Sequence, residues 1–180
     1  MELEFRKGTL SDLKVLVHIS KSTFSESFEK DNDPDDFRKY IDSAFCEEEL
    51  SSQLNNLNTF FYFVYLENIL VGYFKLNIGD AQSDLKQDDS IELERIYVRH
   101  VYQGKGIGKY IIAKVKQLAL KTGKSFLWLG VWEKNTRAIS FYKEHGFVKF
   151  GKHPYYIGKD KQMDWLMRYE LPQNSDKSMN

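Results

Sequence analysis

The chain has 180 residues, with 26 Lys plus Arg balancing 26 Asp plus Glu and a single cysteine, Cys46. A chain of this length fits one domain with a sizeable core, and zero formal net charge leaves no electrostatic footprint for non-specific nucleic-acid binding. One cysteine excludes an intrachain disulfide and a cysteine zinc site, and His18, His100, His145 and His153 show no metal-ligand spacing, so no metal is expected.

The longest apolar run, 60–66, is too short to span a bilayer, and MELEFRKG lacks the apolar core of a secretory signal. A soluble cytoplasmic protein is the default expectation. Along the chain, 5–7 reads as a short strand, and Thr9-x-x-Asp12 resembles a capping box opening a helix with Leu13, Leu16, Val17 and Phe24 on its apolar face. SESFEKDNDPDD reads as a polar loop. Pro34 suits the first turn of a second helix carrying Phe37, Tyr40, Ile41 and Ala44. A third short helix is expected to carry Leu50, Leu54 and Leu57.

The period then changes. The aromatic and β-branched runs 59–66 and 70–77 flank Glu67-Asn68 and predict a hairpin. GDAQSDLKQDD is a polar loop, and 91–98 is a strand. Ile107, Tyr110, Ile111, Val115, Leu118 and Ala119 mark one helix face, which Thr122-Gly123 stops. The strand 125–131 follows. Asn135 then caps a helix faced by Ala138, Phe141, Tyr142 and His145 and ended by Gly146. Strands over 147–156 and 164–171 close a single domain spanning 1–172, and 173–180 is a polar, fraying tail. The strand–helix–strand unit requires a parallel pair and the meander antiparallel pairing, so an α/β mixed sheet with helices on both faces is expected.

QGKGIG, Gln103 to Gly108, sits at a strand-to-helix junction, where backbone N–H groups can hold an anion. The dinucleotide fingerprint fails, because its third glycine falls on Lys109. The phosphate loop of nucleotide hydrolases fails too, because Tyr110 follows Gly108-Lys109. The spacing that fits is Q-x-x-G-x-G. With NTRAISFYKEHGF at 135–147, one helix and one strand later, the chain resembles the GNAT superfamily of acyl-CoA-dependent N-acetyltransferases. FSESF, SAF, GDAQS, LERIYV, WLGVWEKN and the late HPYYIG extend the likeness, over nearly the whole chain except the tail, to the PaiA-type spermidine/spermine N-acetyltransferases.

That resemblance implies a mostly antiparallel GNAT sheet whose two central parallel strands splay apart to pair with the pantetheine arm of acetyl-CoA. It assigns the pyrophosphate to Gln103, Gly104, Gly106, Ile107 and Gly108, with charge from Lys105 and Lys109. Ile96, Tyr97 and Val98 lie on the donor strand. Asn135 binds the pantetheine or is a plain helix cap, and both roles can coexist. Tyr142 is the acid at the leaving sulfur, the alternative being a core aromatic.

Glu92 and Glu94 alternate with Leu93 and are expected on one strand face, continued by Ile96 and Val98. Either is the candidate base, or both face solvent. Glu26, Asp31 and Tyr155, with Glu29, Asp33, Asp35, Tyr156 and Trp165, supply carboxylates and aromatic faces suited to a polyamine cation, or a solvated loop. His153 is either structural or part of the pocket.

The activity implied is acetyl transfer to a polyamine amine in a ternary complex, by a monomer or homodimer with a small-molecule amine as partner and no membrane or direct nucleic-acid binding. Acetylation of another small or protein amine, or an acetyl-CoA-binding regulator of degradative enzymes and sporulation, are the alternatives.

Overall fold

A computed structural model describes residues 1–157 and 159–172; the tail expected over 173–180 lies outside the described residues. In chain order the elements are β1 (Leu3–Lys7), α1 (Leu13–Phe28), α2 (Pro34–Ala44), α3 (Glu47–Asn55), β2 (Thr59–Leu66), β3 (Ile69–Ile78), β4 (Ser90–Val98), α4 (Ile107–Leu120), β5 (Phe126–Trp132), α5 (Thr136–Glu144), β6 (Val148–Ile157) and β7 (Asp160–Glu170). The strands form one seven-stranded sheet ordered β1-β2-β3-β4-β5-β7-β6. Every neighbouring pair is antiparallel except β4 and β5.

Local chemistry sets the boundaries. Glu67 and Asn68 both take positive φ, 51° and 63°, so two residues suffice to turn β2 into β3. The Asp33 carboxylate accepts from the N–H groups of Asp35 and Asp36, and Pro34 opens α2 behind it. The Thr9–Asp12 box caps a single 3-10 turn ahead of α1.

Two expectations at helix ends are corrected. The segment read as loop from Ser25 onward is still α1, because Phe28 continues the stripe of Phe24 one turn later, with ring centroids 4.8 Å apart. Leu57 lies past the end of α3 and is 89% exposed.

Two apolar cores sit on opposite faces. One packs Ile107, Ile111, Ile112 and Val115 of α4, with Ile139 and Tyr142 of α5, against Phe74, Leu76, Ile91, Leu93, Leu127 and Leu129. The other packs Leu16, Ile19 and Phe24 of α1, with Phe37, Ile41, Phe45 and Leu50, against Phe61, Phe63 and Tyr73. Helices thus cover both faces of the sheet.

The β3–β4 ladder is tight at one point. A Cβ on Gly72 would lie 2.4 Å from the carbonyl oxygen of Tyr97, so only glycine permits the approach. The same ladder shifts register between Lys75, opposite Arg95, and Leu76, opposite Leu93. Glu94 is therefore a bulge, and the side chains beyond it change face. Ile91 and Leu93 before the bulge and Ile96 and Val98 after it all belong to the α4–α5 core, while Tyr97 packs in the α1–α3 core. The expectation that Ile96 and Val98 continue the face of Glu92 is corrected: simple alternation fails across the extra residue.

Candidate active site

β4 and β5 pair over three positions only, Ser90–Glu92 against Phe126–Trp128. Beyond them β4 stays paired to β3 and β5 to β7, so the facing edges of 93–98 and 129–132 lack ladder partners on that side. Buried backbone amides demand partners, and a linear molecule carrying amides of its own can supply them. A cavity of about 850 Å3 fills this gap, lined by Leu93 to Val98 on one side and Gly130 to Trp132 on the other.

One end of the cavity reaches the N-terminus of α4. Gly106 is its N-cap at φ 78°, and Gly104 has φ 75°; these left-handed conformations strongly favour glycine. With no side chain on either, the backbone N–H groups of the first turn of α4 are open to an anion. Gly108 has a different task, since a Cβ there would lie 3.1 Å from the ring of Phe141; it lets α4 and α5 close.

Gln103 donates to the Val98 carbonyl at 3.0 Å and accepts from Arg137 at 3.5 Å, tying loop, strand and α5 together. Lys109 and Arg137 line the cavity. Lys105 does not; its ammonium lies 5.1 Å from the Tyr102 ring centroid. Asn135 lines the cavity and also caps α5, accepting from the Ala138 N–H at 3.1 Å. Glycine conformations, an α-helical N-terminus and two nearby cations fit a diphosphate.

Glu92 and Glu94 meet on one amide. Asn77 Nδ2 donates to Glu92 at 3.0 Å and to Glu94 at 2.5 Å, while its oxygen accepts from Thr59 at 3.1 Å. Their environments then diverge. Glu94 pairs with buried Lys75 at 2.5 Å and with Arg95 at 3.3 Å. Burial alone would raise its carboxyl, but Arg95 and Lys75 outweigh that and hold it below the usual carboxylate range. Among the described residues, no cation lies within ion-pair distance of Glu92. Burial, and then the charge of Glu94, push it up, against hydrogen bonds from Asn77 and from the hydroxyl and N–H of Ser83.

Tyr142 lies on the other face, 8% exposed, edge-on to Phe141 and Phe147, and burial raises its hydroxyl above the usual phenol range. Among the described residues nothing hydrogen-bonds that hydroxyl, and the residue lines the cavity. Because the gap runs through the sheet, Tyr142 reaches it from the α4–α5 face while Glu92 reaches it from the face of Trp128, its register partner.

Of the residues expected to meet the acceptor, Tyr155 lines the cavity with its hydroxyl bonded to that of Tyr40. Glu26 also lines it, though its carboxylate accepts from the His100 N–H at 2.9 Å. Asp31 sits exposed in the 3-10 turn after α1, outside the cavity lining. Glu29, Tyr156 and Trp165 are likewise outside the lining, and Asp33 caps α2.

His153 lines the cavity and pairs with Asp84 at 3.3 Å. Sequence reasoning placed Arg95 on the donor strand without giving its side chain a role, and missed Arg137, Glu144 and Asp164; all four line the cavity. The Glu94–Arg95 charge pair in the middle of a strand was the available signal for the Arg95 side chain; Asp164 arrives through strand register and had none.

The acetyltransferase (GNAT) family profile matches residues 14–147. An uncharacterized N-acetyltransferase in the pepI 3′ region of Lactobacillus delbrueckii subsp. lactis is 36% identical over 160 residues, 89% of this chain and 92% of that protein. A spermidine N(1)-acetyltransferase of Thermoplasma acidophilum is 24% identical over 151 residues, 82% of this chain and 89% of its own length.

The crystal structure of the PaiA N-acetyltransferase from Thermoplasma acidophilum in complex with coenzyme A shares the fold, with a TM-score of 0.75 at 22% identity, over 94% of this chain and 99% of that one. No helix among the described residues is long and apolar enough to cross a membrane. Sequence match, sheet order and splayed central pair agree: the chain belongs to the GNAT family and is an acetyl-CoA-dependent N-acetyltransferase.

Proposed function

We propose that the protein transfers the acetyl group of acetyl-CoA to a primary amine of a polyamine, spermidine or spermine, by direct attack with both substrates bound. The observation that carries this reading is the through-sheet cavity, with the Tyr142 hydroxyl on one face and the Glu92 carboxylate on the other. The spermidine acetyltransferase among the relatives supports the acceptor class. So does the aromatic wall of Phe24, Phe28, Tyr40 and Tyr97, which suits a cation.

Acetyl-CoA supplies the activated acyl group; the chain's residues bind it, orient the amine and manage protons. The first turn of α4, with Lys109 and Arg137, holds the diphosphate, and the open edges of β4 and β5 hold the amide-bearing arm. A primary ammonium has a reference pKa near 10.4 and must lose a proton to attack.

Glu92 is the better base of the two carboxylates, because its proton affinity is raised while that of Glu94 is lowered. Asn77 and Ser83 fix its orientation. Glu94 serves as the counter-ion that keeps Lys75 and Arg95 buried. Tyr142 holds its proton throughout the physiological range. Its affinity lies above that of an ordinary thiolate, near 8.5, so its contribution is a hydrogen bond to the departing sulfur rather than a complete proton transfer.

Free-thiol release from acetyl-CoA tests the reading, with spermidine, spermine, putrescine, a lysine peptide, an aminoglycoside and no acceptor compared side by side. Saturable turnover with spermidine or spermine well above the rest is the expected result. Equal rates with every amine, or thiol release only with the peptide, would replace the acceptor.

A further inference from the structure

The acceptor face of the cavity carries a second carboxylate that the transfer chemistry leaves unused. Asp164 lies on β7, opposite Trp132 of β5 and His153 of β6. Its face follows from register. Glu92 pairs with Trp128, which packs with Leu166, and Asp164 is two residues from Leu166 in an unbroken ladder. Glu92, Trp128, Leu166 and Asp164 therefore share one face, while Leu127, Leu129 and Met167 belong to the opposite core.

Asp164 Oδ2 lies 3.4 Å from the point that a Cβ on Gly130 would occupy. The carboxylate thus hangs over bare backbone in the widening gap, where a larger side chain would cover it. Among the described residues no hydrogen bond or ion pair reaches it. Two ionisable groups act on it through charge without bonding to it: His153, its register partner on β6, which pairs with Asp84 at 3.3 Å, and Glu133, which takes Lys152 at 3.1 Å.

A partly buried carboxylate with no hydrogen-bond or ion-pair partner is costly, and burial raises its proton affinity despite the opposing influence of His153. Nothing in the fold uses this one as a cap or a bridge. Gly130 is one strand across and two residues along from Glu92, roughly 8 Å by sheet spacing and rise. An acceptor amine held at Glu92 is therefore out of reach of Asp164, but a second cation a few methylenes away is not.

We infer that Asp164 anchors the second ammonium of a linear diamine or polyamine, in a subsite set beside the transfer site at Glu92. The inference rests on the polyamine reading and deepens it, because it makes the second charge, rather than chain length or bulk, the feature that selects the acceptor.

The test is steady-state kinetics with a matched pair, putrescine and butylamine, plus spermidine, on the full chain and on Asp164→Asn and Asp164→Glu. The wild-type protein is expected to prefer putrescine over butylamine in kcat/KM. Asp164→Asn is expected to lower that ratio about tenfold, mainly through KM for the diamine, and Asp164→Glu, which keeps the charge, to restore part of it.

A ratio unchanged in Asp164→Asn, or no diamine preference in the wild type, overturns the subsite while leaving polyamine acetylation standing. A wild type inactive on all three polyamines in the thiol-release panel overturns the underlying reading and the subsite with it. If Asp164→Asn folds poorly, the wild-type ratio and the Asp164→Glu ratio still decide.

Discussion

Glu92 and Glu94 are separated by one leucine, yet their proton affinities move in opposite directions. The groups facing Glu92 are Glu94, Lys75, Asn77 and Ser83. As a base, Glu92 works deprotonated, so kcat should rise with pH through a value above the ordinary carboxylate range and then level off. Glu92→Gln should remove that inflection and lower kcat by about 10²-fold.

Glu94→Gln removes a like charge that raises Glu92 and frees Lys75 to lower it further, so the inflection should move to lower pH. The same substitution strips a buried pair of its anion and should cost about 3 kcal/mol in denaturant unfolding. Tyr142→Phe should reduce turnover at least tenfold with little change in coenzyme A affinity measured by calorimetry; unchanged turnover would remove the donor role.

The residues legible in sequence were those whose work is local. Gly106 caps a helix two residues from Gly108, and Asn135 caps another. Arg137 and Asp164 were not legible, because each reaches the cavity from an element whose place around it is set by packing and strand register.

At the scale of elements, the strand runs and helix stripes were readable from period, and the misreadings mark where period stops being informative. α1 outlasts its expected end because Phe28 still finds Phe24 and the edge of Tyr97, through polar residues that look like a loop. β4 changes face at Glu94 because one extra residue enters the ladder, an event that alternation of side chains cannot register.

Gly72 is invisible for a related reason: it reads as an ordinary strand glycine until the Tyr97 carbonyl is placed 2.4 Å from where its Cβ would be. Gly72→Val is expected to break this stretch of the β3–β4 ladder, lowering stability by about 3 kcal/mol by chemical denaturation and displacing the 96–98 edge that lines the cavity. Gly106→Ala, strained by its positive φ alone, should cost only about 1–2 kcal/mol.

On the scale of the whole molecule, the sheet is two antiparallel leaves, β1–β4 and β5–β7, stitched by a short parallel seam. The cavity opens across that seam, and a ligand that binds only the folded state adds its binding energy to global stability. Coenzyme A at about 100 times its Kd adds about 2.7 kcal/mol, which for a domain of this size raises Tm by about 5–10 °C. Differential scanning fluorimetry reads this directly, and a shift below about 2 °C would mean that the folded chain does not bind coenzyme A with that affinity.

The seam also sets how the molecule yields. Each leaf is drawn from one continuous stretch of chain, 3–98 and 126–170, and the crossover between them runs through α4. Strain applied across the sheet therefore concentrates on the three residue pairs between Ser90–Glu92 and Phe126–Trp128, as along the spine of an opened book. Amide exchange should be slower inside each leaf than at the amides of 93–98 and 129–132 that face the gap beyond the spine, and a cut in the 121–125 linker should leave two halves that reassemble into a working whole.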